Sequence, residues 1–222
     1  MVKTALNVMF KQKKKEENAH DTRQLLLDTA TRLFAEQGYE GVSTRLLAKE
    51  AGVNMALIAY YFGSKEKLYE AIFEEQIPKF TVRLQQLQQL EASAWDKFEL
   101  AIEAYVDRIF TKGAFNRLMF REMSLSQRPE HSERIISSIQ KNWALMQAII
   151  TEGQASGNFR MDIDVELTMT TLIGTITHYV NAAPLNARLM HVTDEKEMLN
   201  DVYRARIKAH LKQLMTAHLL KL

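Results

Sequence analysis

Four side chains, Ser43, Tyr60, Tyr61 and Lys65, have types and placements suited to holding an anion. Ser43 and Lys65 stand where helices begin, so free backbone N–H groups lie beside a hydroxyl or an ammonium, and such a terminus meets a phosphate readily. A tyrosine hydroxyl reaches a phosphate from a shallow position. Thr22 and Arg23 add the same possibility further upstream if a helix starts near Asp21, where the helix dipole is positive. Bond-making chemistry finds no comparable support. Paired carboxylates, a Ser/His/Asp set in context, a phosphate-cradling glycine loop and a helical His-Glu zinc motif are all missing from the sequence. The six histidines are scattered, no two at i, i+3 or i+4, so neither a metal site nor a cofactor is expected. Arg121-Glu122 reads as a local ion pair or an interface contact.

The elements that must position these groups lie in STRLLAKEAGVNMALIAYYFGSKEKL, residues 43–68. Ser43 caps a first helix carrying Leu46, Leu47 and Ala51 at helical spacing, and Gly52 stops it. Val53 is a short apolar plug. Asn54 caps a second helix over Met55 to Phe62, about two turns long; Gly63 ends it and Ser64 caps a third. Ile58 and Phe62, four apart, form a buried stripe with Val53. Two short helices joined by a glycine-containing turn make a helix-turn-helix, whose second member enters the DNA major groove.

The run AGVNMALIAYYFGSKEKLYEAI resembles the DNA-binding domain of the tetracycline-repressor (TetR) family, through Leu47-Ala48, Ala51-Gly52-Val53, Tyr60-Tyr61-Phe62, Ser64-Lys65 and Leu68. The resemblance implies phosphate contacts at Ser43, Tyr60, Tyr61 and Lys65, and base-facing positions at Arg45, Met55, Ala56, Leu57 and Ala59. Thr22, Thr44 and Asn54 complete the DNA-binding set. Met55, Leu57 and Ala59 depart from the family pattern, which favours polar, hydroxyl and aromatic residues there. The recognition helix is therefore apolar nearly all round and suited to thymine methyls, which leaves Arg45 as the candidate for a bidentate guanine contact. Leu46 replaces an acidic residue that would complete a capping box with Ser43.

Around this module the sequence predicts an all-α protein in three parts. Residues 1–19, with lysines from Lys11 to Lys15 offset by Glu16 and Glu17, read as a flexible basic arm. Residues 20–78 form the DNA-binding domain: a helix from Asp21, with Gln24 in a capping-box-like start, to Gln37 and its cap Gly38, then the helix-turn-helix and a fourth helix ended by Pro78. Residues 79–222 form a helical bundle for regulation and dimerisation, with helices over Trp95 to Thr111, Phe115 to Ser126, Ser132 to Ala155, Asp164 to Ala182 and Glu195 to Leu220. Apolar residues recur there at three- and four-residue spacing, as in Phe98, Ile102, Tyr105 and Ile109. The stretch TEGQASGNFRMDIDVELTMTTLIGTI weakly resembles the family's approach to its dimer helices.

The resemblance further implies a homodimer on a palindromic DNA operator, and a small-molecule effector in a pocket within the bundle. Dimer-face candidates are Thr168, Thr170, Thr171, Gly174, Thr175 and Thr177 on one helix and Met198, Val202, Ile207, Leu211, Leu214 and Leu219 on the other. Pocket candidates are Phe115, Met119, Phe120, Met123, Trp143, Met146, His178 and Tyr179, aromatic and methionine side chains that also suit a solid core.

Composition is that of an ordinary globular chain, 25% charged and 46% hydrophobic over 222 residues. The absence of cysteine excludes disulfides and thiolate chemistry and suits a reducing cytoplasm, the expected location, and no run approaches the roughly 18 apolar residues of a membrane span. Residues 1–68 carry 11 Lys/Arg against 8 Asp/Glu, and the remainder 18 against 19. This modest basic bias favours phosphate binding at the amino end, but a non-specific architectural DNA binder would need a stronger one. That class, and a helical small-molecule-binding protein or enzyme, are the alternative readings.

Overall fold

The computed structural model describes the backbone of residues 2–125 and 129–220, and side chains at 20–124, 133 and 135–220. The chain divides into two compact units, Met1–Glu75 and Gln76–Leu222. The expected helix end at Ser126 falls outside the described residues.

In the first unit α1 is one helix, Val2–Gln37. Residues 2–19, expected as an arm, are part of that helix, and the expected helix start at Asp21 is thereby corrected. No Gly or Pro interrupts residues 2–37, Ala, Leu, Met, Lys, Gln and Glu propagate a helix well, and a cap has no role where the ladder continues. Gln24 does not reach back to Asp21; its Nε2 donates forward to Asp28 Oδ1 at 3.0 Å. Leu26, Leu27, Ala30, Leu33 and Phe34 form the buried stripe of α1, and Phe34 meets Tyr39 and Tyr69 at ring distances of 5.5 and 5.1 Å. The helices α2 (Thr44–Ala51), α3 (Ala56–Phe62) and α4 (Lys65–Gln88) follow.

α4 runs through Pro78 instead of ending there. Proline removes the amide that would reach the Glu74 carbonyl, at a cost of about 3 kcal/mol. Phe80, Leu84 and Leu87 beyond it are buried, each worth about 1.5–3 kcal/mol, so packing holds the helix together. Thr81 Oγ1 also donates back to the Ile77 carbonyl at 3.3 Å. The division between the units lies within α4, a few residues before the proline.

The second unit comprises the rest of α4 with α5 (Ala94–Thr111), α6 (Gly113–Leu125), α7 (Pro129–Ala155), α8 (Val165–Asn181), α9 (Ala183–Leu189), a 3-10 turn at Glu195–Leu199 and α10 (Asp201–Leu219). The short α9 went unanticipated, because Pro184 reads as a break but occupies a first-turn position that lacks an amide partner anyway. One core joins Phe98, Ala101, Ile102 and Tyr105 of α5, Met146, Ile149 and Ile150 of α7, Met169, Leu172 and Ile176 of α8, and Ile207, Leu211, Met215 and Leu219 of α10. After α7, Phe159 turns back into that core and Arg160 N–H donates to the Leu219 carbonyl at 2.8 Å, closing the end of the bundle. No helix among the described residues is long and apolar enough to cross a membrane.

Candidate functional site

The first candidate site is the face carried by α2 and α3. Ser43 Oγ accepts from Leu46 N–H at 3.1 Å, so half of the capping box forms despite the leucine. Gly52 ends α2 at φ +65, the left-handed region that a side chain resists, and so turns the chain sharply toward α3. Asn54 Oδ1 accepts from Ala56 N–H at 2.8 Å and starts α3. Ile58 and Phe62 point inward.

These constraints leave one face outward. Arg45, Ala56 and Ala59 are exposed, Leu57 and Tyr61 half-exposed, Met55 53% and Tyr60 77% exposed. Two contacts shape it. Thr44 Oγ1 donates to the Met55 sulfur at 3.8 Å, and Tyr60 and Tyr61 pack edge-on at 4.9 Å. Arg45 makes no hydrogen bond among the described residues. The expected group is therefore brought together on one surface, with two exceptions.

Thr22 lies inside continuous α1, so its amide belongs to the helix ladder and the expected anion-binding terminus does not exist there. Arg23 is an internal brace, donating to Glu75 Oε2 at 2.8 Å with its guanidinium 5.2 Å from the Phe62 ring centre. Lys65 is the second exception. Its ammonium donates to the carbonyls of Tyr39 and Val42 at 3.0 and 2.9 Å and stands 3.9 Å from the Tyr39 ring centre. Two of its three protons thus clamp the turn before α2 to the start of α4. Sequence gave no sign of this, because the partners are backbone carbonyls.

The second candidate site is a cavity of about 330 Å³ between α5, α6, α7 and α8. Met119, Phe120, Met123 and Trp143 line it as expected. Four other expected residues do not. Met146 and Phe115 are core, His178 is exposed away from the cavity, and Tyr179 is buried, stacked on Phe110 at 5.9 Å. The wall also contains Tyr105, Arg108, Ile109, Asn116, Ile139, Asn142, Thr170, Ile173, Gly174 and Thr177. Thr170, Gly174 and Thr177, expected at a dimer face, are thus cavity residues. Arg108 had one legible signal, a cation one turn after Tyr105 and adjoining the apolar face of α5.

Burial lowers the Arg108 pKa to about 10, opposed by the nearby Tyr105 hydroxyl, and the Tyr105 phenol is itself pushed up to about 12 by burial. At neutral pH Arg108 is charged and Tyr105 is not. The guanidinium lies 4.4 Å from the Phe80 ring centre and 5.6 Å from that of Phe115.

Comparison with known proteins decides the class. The family model for bacterial regulatory proteins of the tetR family matches residues 26–72, and that for the tetracyclin repressor-like C-terminal domain matches residues 91–181. This chain belongs to the TetR family. As a TetR-family protein it is a DNA-binding transcriptional regulator and not an enzyme. The fatty acid metabolism regulator protein of Bacillus subtilis is 28% identical over 162 residues, 72% of this chain and 82% of the relative. The repressor KstR2 of Mycolicibacterium smegmatis is 27% identical over 172 residues, 74% of this chain and 82% of the relative. Among solved structures, Bacillus subtilis FadR in complex with stearoyl-CoA aligns at TM-score 0.65 and 23% identity over 86% of this chain and 96% of that one. A regulator from Saccharomonospora viridis in complex with choline aligns at TM-score 0.69 and 19% identity over 91% of this chain and all of that one. At those identities the structures establish the TetR fold, and both models fall on the segments that carry the two candidate sites.

Proposed function

We propose that this regulator is a ligand-released repressor that binds a palindromic operator as a homodimer. The observation that carries the reading is the cavity lined by α5 to α8 in a chain whose amino-terminal unit presents a helix-turn-helix. An effector that binds the DNA-incompetent form better than the competent one shifts the equilibrium by its differential affinity, and nothing else is required of it. The solved neighbours bound to stearoyl-CoA and to choline support a ligand in this class of bundle. They are chemically unlike, so the walls of this cavity must decide its own ligand.

At the DNA, Ser43, Tyr60 and Tyr61 hold phosphates, Arg45 reads a guanine, and Met55, Ala56, Leu57 and Ala59 face bases through apolar contact. Homodimer formation draws support from α8 and α10, where Leu167 is 63% and Val202 72% exposed and Leu214 is also exposed. Ile207, Leu211 and Leu219, with Met198 before α10, are core and belong to no such face. A twofold pair would place recognition helices about 34–36 Å apart, one turn of DNA.

Selection of bound fragments from a random DNA pool tests the whole reading. The expected winner is a palindrome with a guanine at one fixed position per half-site, and enrichment of no sequence over bulk would refute it. Arg45→Ala should then cost about 1–3 kcal/mol on that site and relax preference at that one position. A uniform loss across all sequences would mean that Arg45 contacts phosphate instead.

A further inference from the structure

Two of the cavity-lining residues each carry a buried polar atom that has no hydrogen-bond partner among the described residues: Arg108 Nη2 and Asn142 Oδ1. Among the described residues Arg108 is the one charged residue lining the cavity, and no described carboxylate lines it. Its neighbours are the faces of Phe80 and Phe115 and the un-ionised Tyr105 hydroxyl, which soften the cost of burying a cation without cancelling its charge. A charge held in an apolar wall with no counter-charge among the described residues is costly, and it discriminates strongly in favour of a ligand that brings one.

We propose that the effector is a compact apolar acid whose carboxylate is held by the Arg108 guanidinium. This rests on the reading that the cavity is an effector site. A single guanidinium matches a single negative charge, and its forked donors match a carboxylate's two oxygens. Asn142 also lines the cavity, and its amide, turned by half a rotation, offers an N–H to an anion there. Met119, Phe120 and Trp143 take the apolar body. The cavity of about 330 Å³ is of the size that a small apolar body can occupy. A free acid supplies a carboxylate to Arg108, whereas a coenzyme A thioester has none at its acyl end.

Calorimetric titration of the full-length protein with two matched pairs, octanoate and 1-octanol, 3-phenylpropionate and 3-phenylpropanol, together with octanoyl-CoA, tests this. Each acid should bind at least about tenfold tighter than its alcohol, the worth of a charge-assisted hydrogen bond, and octanoate should outcompete octanoyl-CoA. In Arg108→Gln the two members of each pair should bind alike, while Arg108→Lys should retain much of the preference. The wild-type ratio stands as a test even if a variant folds poorly. Equal affinities of acid and alcohol, a preference that survives Arg108→Gln, tighter binding of the thioester, or no binding by any probe would each overturn the carboxylate anchor. Operator affinity measured alongside separates the two levels: an acid that binds through Arg108 but leaves operator affinity unchanged sinks the effector reading and leaves the anchor in place.

Discussion

Phe159→Ala should destabilise the carboxy-terminal unit by about 3–5 kcal/mol, the usual cost of truncating a fully buried phenylalanine. Phe159 has no exposed surface and packs against Trp95 and Phe98 at ring distances of 6.4 Å. Its ring also lies against Gly153 in the last turn of α7, where a Cβ would come within 2.3 Å of it. Gly153→Ala should therefore cost about 1–3 kcal/mol by overpacking. In the Phe159→Ala background the same change should reverse sign, because the obstruction is gone and alanine exceeds glycine in helix propensity by about 1 kcal/mol. Denaturant unfolding of the four proteins, followed on the transition of the second unit, measures the coupling. Strictly additive costs would mean that Gly153 is not held against the Phe159 ring.

Lys65→Met should lower the melting temperature of the amino-terminal unit and weaken DNA binding in proportion. The ammonium makes two charge-assisted hydrogen bonds to the Tyr39 and Val42 carbonyls, and such bonds are worth about 1.5–3 kcal/mol each when well shielded. Lys65 is only half-buried, so water recovers part of that loss and a total of about 2 kcal/mol is expected. The slope of binding against salt should barely change. A lysine whose main task was to hold a phosphate would behave oppositely, with unchanged melting and a slope reduced by about one. That second outcome would return Lys65 to the DNA surface and make the clamp incidental.

Sequence by itself determined what depends on neighbours along the chain. The caps at Ser43, Asn54 and Ser64, the left-handed Gly52 and the i, i+4 pair Ile58 and Phe62 are local devices, and each forms as its residue type dictates. The all-α class and the character of the amino-terminal module followed from them. Tertiary structure decided whatever depended on distant partners. Pro78 does not end α4 because Phe80, Leu84 and Leu87 are packed beyond it, and Lys65 turns from solvent to the Tyr39 and Val42 carbonyls. Local pattern also could not separate core from cavity in the bundle. Met146 and Met119 look alike in sequence, and only the arrangement of α5 to α8 sends one into the core and the other to the cavity wall. A helix repeats every 3.6 residues, so periodicity fixes which side of it is apolar, but what that side meets is fixed by contacts that no single helix contains.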